Sequence, residues 1–271
     1  MGLLPLIGGH ISSGSLHLDG IELTGLNEKA YRSLRGSRIA LISQNPMTSL
    51  DPLLRVGHQI DQVARLHLGL SSAAAKARSI DLLTQLQIPD AVTVYQQYPH
   101  QMSGGMKQRI VIAMALVGDP DMIIADEPTT ALDVTIQAQI IRILVDLVRS
   151  RGMALMLITH DMGVVAQACD DVVVLYAGRV AEASTVSDVL LHPVHPYTLA
   201  LIACITRSDQ RSGSLKGIPG LVPSVTDYDS GCRFHPRCNN TQARCKSEVP
   251  LLQIQGATKV SCHFPVGVSR D

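Results

Sequence analysis

The chain has 271 residues, enough for one large domain or a domain with an appendage, and with 46% hydrophobic and 17% charged residues it is not a disordered chain. Lys plus Arg and Asp plus Glu are 23 each, so the formal net charge is zero and a broad electrostatic footprint for DNA or RNA is not expected. Aromatics are only 3%, with no Trp, which argues against stacking platforms for single strands and leaves the core to Ala, Val, Ile, Leu and Met.

The N-terminal Met1-Gly2-Leu3-Leu4-Pro5-Leu6-Ile7 has no basic flank and is broken by Pro5, so it does not read as a signal peptide. The longest apolar stretches, such as Ile110–Gly118, fall far short of the ~20 residues of a spanning helix. Ile39-Ala40-Leu41-Ile42 is the first strand candidate. From Leu53 to Val117 the pattern is mostly helical, with Ser72 as the expected cap of a helix from Ala73 to Leu86 that Pro89 ends. Met122–Ala125 is the second strand. A helix over about Val134 to Arg151 follows, with Ile136, Ile140, Ile143, Leu144, Leu147 and Val148 at helical spacing. Asp133 caps its start and Gly152 follows its end. Ala154–Ile158 is the third strand and Val172–Tyr176 the fourth, before a turn at Ala177-Gly178 into a short strand, Arg179–Glu182. Continuous apolar runs predict strands covered on both faces, and strand–helix–strand order predicts a parallel α/β sheet. From His192 prolines, glycines and serines rise, so a boundary is expected near Leu190: a domain over 1–190, with a helical subdomain at about 53–117, and a C-terminal extension over 191–271.

Three of these strands run directly into polar residues: Ser43-Gln44, Asp126-Glu127-Pro128 and Thr159-His160. Ligands of open α/β sheets bind beyond the carboxyl ends of the strands. Gln44, a carboxylate pair and His160 in one crevice suit metal-assisted phosphate hydrolysis. Asp126, at the strand end, can hold Mg²⁺. Glu127, pointing elsewhere, can polarise an attacking water. His160 can bond a γ-phosphate, and Gln44 can orient water or touch the metal. Upstream, Ser103 caps a helix that opens with Gly104-Gly105, and such a start, with free N–H groups and little side-chain bulk, suits phosphate.

Ser103-Gly104-Gly105-Met106-Lys107-Gln108-Arg109 resembles the signature motif of ABC ATPases. Met122–Glu127 resembles their Walker B strand with its catalytic glutamate, Ala131-Leu132-Asp133 the D-loop, His160 the switch histidine and Gln44 the Q-loop glutamine. The resemblance covers about Gly14 to Glu182 and implies a P-loop-NTPase-like nucleotide-binding domain. Gln44 to Pro52, Tyr98 to Met102, Thr135 to Gln139, His195-Pro196-Tyr197-Thr198 and Ile218 to Pro223 are similar to the ATPase subunits of oligopeptide/dipeptide importers. Met106, Met47 and Thr48 favour the first of their two ATPase paralogues. The resemblance implies ATP and Mg²⁺ as ligands. It also implies a head-to-tail dimer with the paralogous ATPase and docking on a transmembrane permease. A solute-binding protein is an indirect partner, and the expected place is the cytoplasmic face of the membrane. Ser103, Gly104, Gly105, Gln108 and Asp133 would then serve nucleotide at the dimer interface.

One departure stands out: no Gly-x-x-x-x-Gly-Lys-[Ser/Thr] occurs, since Gly14 and Gly20 are followed by Ser15 and Ile21. The family's P-loop precedes a Gly-Leu-Leu-Pro segment, here Gly2-Leu3-Leu4-Pro5, so the chain is expected to be truncated at Walker A and to lack its first strands. Own-site ATP binding is then expected to fail, with exposed sheet edges and low stability. A non-catalytic or regulatory metal-binding fragment, or a soluble non-transport ABC ATPase, is the alternative.

Cys232, Cys238, Cys245 and Cys262 lie in the extension among Arg233, Arg237, Arg244 and Lys246. Four thiols without a secretion signal suggest a metal, and cationic neighbours suit a net-negative [4Fe–4S] cluster, with zinc or inert thiols as alternatives. The arrangement resembles the cysteine-bearing extension of dipeptide importers. Cys169 and Cys204 are expected to be buried spectators, and His192, His195, His235 and His263 loop or core residues.

Overall fold

A short antiparallel hairpin opens the fold, β1 (His17–Leu18) with β2 (Ile21–Glu22). The computed structural model describes residues 1–129, 132–204, 217–228 and 230–267. They form two compact units, Met1–His160 and Asp161–Asp271.

In the first unit, α1 (Glu28–Leu34) is capped by Asn27, whose side chain accepts from the Ala30 amide. Its Tyr31 hydroxyl donates to Leu23 O at 2.6 Å, and Leu23, Tyr31, Leu34 and Ile39 form a small core. β3 (Ile39–Ile42), β4 (Met122–Asp126) and β5 (Ala154–Ile158) make a parallel sheet in the order β3-β4-β5. Ile42 stands beside Ala125, and Asp126 beside Ile158, so the three carboxyl ends lie level. α2 (Pro46–Ser49), α3 (Val56–Leu68), α4 (Ser72–Gln85), α5 (Ala91–Gln96) and α6 (Gly104–Leu116) fill the interval between β3 and β4. Ser71, not Ser72, caps α4, its hydroxyl accepting from the Ala74 amide: either serine suits the position, and backbone geometry selects the earlier.

A carboxylate joins three of these helices. Asp61 of α3 accepts from the Ser79 hydroxyl of α4 at 2.6 Å and from the Tyr95 hydroxyl of α5 at 2.5 Å. Burial, with the neighbouring carboxylate, raises the Tyr95 pKa, so the phenol keeps its proton. Gly57 permits this packing, because a Cβ there would collide with the Tyr95 ring.

α7 (Val134–Ser150) links β4 to β5 and buries Ile140, Ile143, Leu144 and Val148. They join Ile42, Ile60, Leu83, Ile110, Leu116 and Ile123 in the main core. β5 departs from the expectation of strands covered on both faces: Met156 is 49% exposed and Ile158 44%. Among the described residues β5 pairs only with β4. Apolar composition signals a strand but does not say whether both faces are covered.

In the second unit, α8 (Met162–Ala168) leads to β6 (Asp171–Tyr176) and β7 (Arg179–Thr185), followed by α9 (Val186–Leu191) and α10 (Pro196–Ala203). After α11 (Ala243–Ser247) come β8 (Gln253–Gln255) and β9 (Thr258–Val260). The sheet is antiparallel, in the order β6-β7-β9-β8. β6 therefore does not join the parallel sheet as its apolar run suggested, and Val173 and Leu175 are exposed. Val174, Tyr176, Ala181, Val189 and Phe234 form the core. The buried Glu182 of β7 accepts from the amides of Val194 and His195, both at 2.9 Å, which fixes the entry to α10. No helix among the described residues is long and apolar enough to cross a membrane.

Candidate functional site

The level ends of β3, β4 and β5 bring three sequence positions to one carboxylate. Glu127 follows β4 directly, and Gln44 and His160 each lie two residues beyond the ends of β3 and β5. Gln44 Nε2 donates to Glu127 Oε2 at 3.0 Å, and His160 Nδ1 lies 3.0 Å from Oε1. Both oxygens of Glu127 are thus engaged. Its amide donates to Ile158 O at 2.9 Å, and its φ of 44° puts a non-glycine residue in left-handed conformation. Such backbone costs on the order of 1 kcal/mol and persists where surrounding contacts enforce it. The turn separates Glu127 from Asp126, which stays in register on β4. Glu127 is largely buried and His160 largely exposed, so the histidine forms the open side of the cluster.

A second group lies at the start of α6. The Ser103 hydroxyl caps the helix, accepting from the Met106 amide at 3.3 Å. Ser103 and Gly104 are exposed. A Cβ on Gly104 would stand 3.5 Å from Leu132 Cδ2, and one on Gly105 would stand 3.1 Å from Ile136 Cγ2. Gly105 therefore lets the helix start lie close against the first turn of α7, whereas a side chain at Gly104 would make only an ordinary contact. Asp133 caps that turn, accepting from the Ile136 amide at 2.9 Å. Ala131 lies outside the described residues.

Gln108 is not presented with Ser103: it is 1% exposed, within the helix packing. Arg109, which the sequence marked only as part of a motif, is buried as well. Its Nη1 donates to Leu86 O at 2.7 Å and to Gln87 O at 3.1 Å, and its Nη2 donates to Gln139 Oε1 at 2.9 Å. Gln139 in turn donates to Gln87 Oε1. The arginine thus joins α6, the end of α4 and α7. No periodicity signals that role, because it depends on where α4 stops.

In the second unit Cys232, Cys238, Cys245 and Cys262 line one small cavity, with His195, His235 and His263. The Cys232 amide donates to Cys245 O at 2.9 Å, and Gly231 is buried where a Cβ would strike the backbone of Cys245 and Lys246. Burial raises the thiol pKa of Cys232, Cys238 and Cys262, the last to about 11, so these three stay protonated when unliganded. Among the described residues no three His, Cys, Asp or Glu side chains stand at metal-ligand geometry. The four thiols converge but are not set as a closed ligand shell. Cys169 and Cys204 form no disulfide among the described residues and are half-buried rather than fully buried. His195 is a core residue: its Nδ1 caps α10, accepting from the Tyr197 amide, and burial holds its pKa at about 4.

Residues 2–130 match the ABC transporter family, and residues 181–245 match the C-terminal region of oligopeptide/dipeptide transporters. The chain is 45% identical to the probable D,D-dipeptide transport ATP-binding protein DdpD of Escherichia coli, over 98% of this chain and 81% of the relative. It is 43% identical to the oligopeptide transport ATP-binding protein AppD of Bacillus subtilis, over 97% and 80%. The chain belongs to the oligopeptide/dipeptide ABC transporter ATP-binding protein family. Its fold matches the dimeric bacterial ABC transporter cassette MJ0796 bound to ADP and Pi, with a TM-score of 0.59 and 26% identity over 68% of this chain and 79% of that one. It also matches CbiO1 of Clostridium perfringens, part of an ABC transporter complex, with a TM-score of 0.58 and 26% identity over 67% and 69%. This is an ABC ATPase cassette fold, and the family implies ATP and Mg²⁺ as its ligands.

Proposed function

We propose that this chain is a subunit that couples ATP hydrolysis to the import of peptides or similar small solutes through a membrane permease. The relatives are peptide-transport ATP-binding proteins, and the observation that carries the catalytic reading is Gln44 and His160 on opposite oxygens of Glu127. Asp126 would hold Mg²⁺, which neutralises charge on the transferring phosphoryl group. Glu127 orients and polarises the attacking water, His160 contacts the γ-phosphate side, and Gln44 links that carboxylate to β3. Ser103, Gly104 and Gly105 serve nucleotide held by a partner ATPase in a head-to-tail dimer, with Asp133 holding the adjoining turn. The ATPase domain runs to residue 190 and the extension over 191–271, and the subunit sits peripherally on the membrane beside its permease. These 271 residues hold no Gly-x-x-x-x-Gly-Lys-[Ser/Thr], so the polypeptide by itself is expected to show no appreciable ATP turnover. Turnover by the isolated chain that Glu127→Gln abolishes would overturn that expectation.

The extension would carry a [4Fe–4S] cluster on Cys232, Cys238, Cys245 and Cys262, with zinc as the alternative. Support comes from four thiols that line one cavity, in a chain where cationic residues stand beside them in sequence. Anaerobic purification should give bound iron and absorbance near ~400 nm; zinc without iron rejects the cluster.

The import role is tested in proteoliposomes holding the chain with its partner ATPase and permease. With a Walker A segment joined ahead of Met1, Glu127→Gln should abolish ATP-dependent uptake of a labelled dipeptide while the assembly stays intact. Unchanged uptake would reject the assignment.

A further inference from the structure

Beside the thiol cavity, and sharing Cys232 and Phe234 with it, lies a larger cavity of about 260 Å³ within the second unit. Its walls are apolar at Val180, Ala181, Phe234 and Leu252, and no Asp or Glu lines it. Two guanidinium groups do: Arg179 and Arg233.

Neither has a carboxylate partner among the described residues. Arg233 donates through Nη1 to Ala177 O and stacks on Tyr228, its guanidinium carbon 3.7 Å from the ring centre. Its Nε is buried and forms no hydrogen bond among the described residues. Arg179 is exposed, and its charge is felt at the Cys232 thiol. The nearby acid, Glu182, is already engaged with the amides of Val194 and His195. Two cations over an apolar cavity, with the local carboxylate spent elsewhere, define the ligand by charge and by surface. Guanidinium groups take carboxylate, sulfonate or phosphate oxygens in paired hydrogen bonds, and apolar walls take the body that carries them.

We propose that this cavity binds a small organic anion, an acidic head group on an apolar or aromatic body, with Arg179 and Arg233 holding the head group. The site uses none of the residues assigned to nucleotide chemistry and gives the second unit a ligand-binding role of its own.

Two fluorescent probes share a ring system and differ in charge: 8-anilinonaphthalene-1-sulfonate and the uncharged N-phenyl-1-naphthylamine. The full chain should bind the sulfonate saturably at one site, at least about tenfold more tightly than the neutral probe. Arg179→Gln should erase most of that difference. Arg179 is exposed, so this variant should fold, as circular dichroism would verify. Arg233→Lys, which keeps charge but loses the planar fork, should fall between. Equal affinity for the two probes, non-saturable binding, or an Arg179→Gln variant that binds the sulfonate like the parent would each overturn the proposal. In any of these cases the two arginines serve only the neighbouring thiol centre.

Discussion

Arg109 reaches from α6 to Gln139 of α7 at 2.9 Å, so the helix that begins at Ser103 and the helix that begins at Asp133 share a buried polar tie. The same guanidinium holds the carbonyls of Leu86 and Gln87, where α4 ends. Burial lowers the Arg109 pKa, but three acceptors keep the charge in place.

Arg109→Met should therefore cost stability well beyond lost packing. It leaves three acceptors unmatched, and a loss of about 2–4 kcal/mol is expected in urea unfolding. Gln139→Leu, which removes one acceptor and leaves the arginine bonded to two carbonyls, should cost about 1 kcal/mol.

With a Walker A segment joined ahead of Met1, His160→Ala and Gln44→Ala should lower ATP turnover of the assembled importer without unfolding the chain. Each removes one contact from the Glu127 carboxylate, and a drop of about 10²-fold or more is expected for His160→Ala. Steady-state phosphate release measures it. Parent-level turnover in both variants would remove Glu127 from the centre of the site.

His195 predicts an acid sensitivity of known sign. Its folded pKa of about 4 lies below the ordinary 6.5, so the unfolded chain binds the proton more tightly. This contribution is whole above pH 6.5 and is lost as pH falls toward 4, by about 3 kcal/mol at the end of that window. His195→Asn can still cap α10, and its unfolding midpoint should fall less between those pH values than the parent's.

Gly231→Ala should disrupt the extension at one point. The added methyl would meet the backbone of Cys245 and Lys246, and a backbone cannot rotate aside. A loss of about 1–3 kcal/mol is expected, together with weaker iron retention in anaerobic preparations.

Much of the first unit was legible because its signals are local. β3, β5 and the cap of α7 lie where apolar runs and Asp133 put them, since a strand's length and a helix's start are written in neighbouring residues. Gln44, Glu127 and His160 were legible as a group because each lies within two residues of a strand's end. Less legible was what depends on distant chain. The open faces of β5 and β6 reflect which elements cover them, not their own composition. Gln108 looked like a surface contact from its place beside the glycines, yet one helical turn carries it into the core. The reach of Arg109 and the second cavity, with Arg179 from β7 and Arg233 from far downstream, arise only when separate segments meet.

The carboxylate of Asp61 has a consequence for how this sequence can drift. Its two oxygens are matched by hydroxyls from Ser79 and Tyr95, and Gly57 makes room for the tyrosine ring. Tyr95→Phe alone strands a charge beneath three helices, whereas Tyr95→Phe with Asp61→Asn does not. Homologous chains should therefore exchange positions 57, 61, 79 and 95 as a set. Single exchanges should be rare even though none of the four touches nucleotide, and deep mutational scanning should show strong epistasis confined to that quartet.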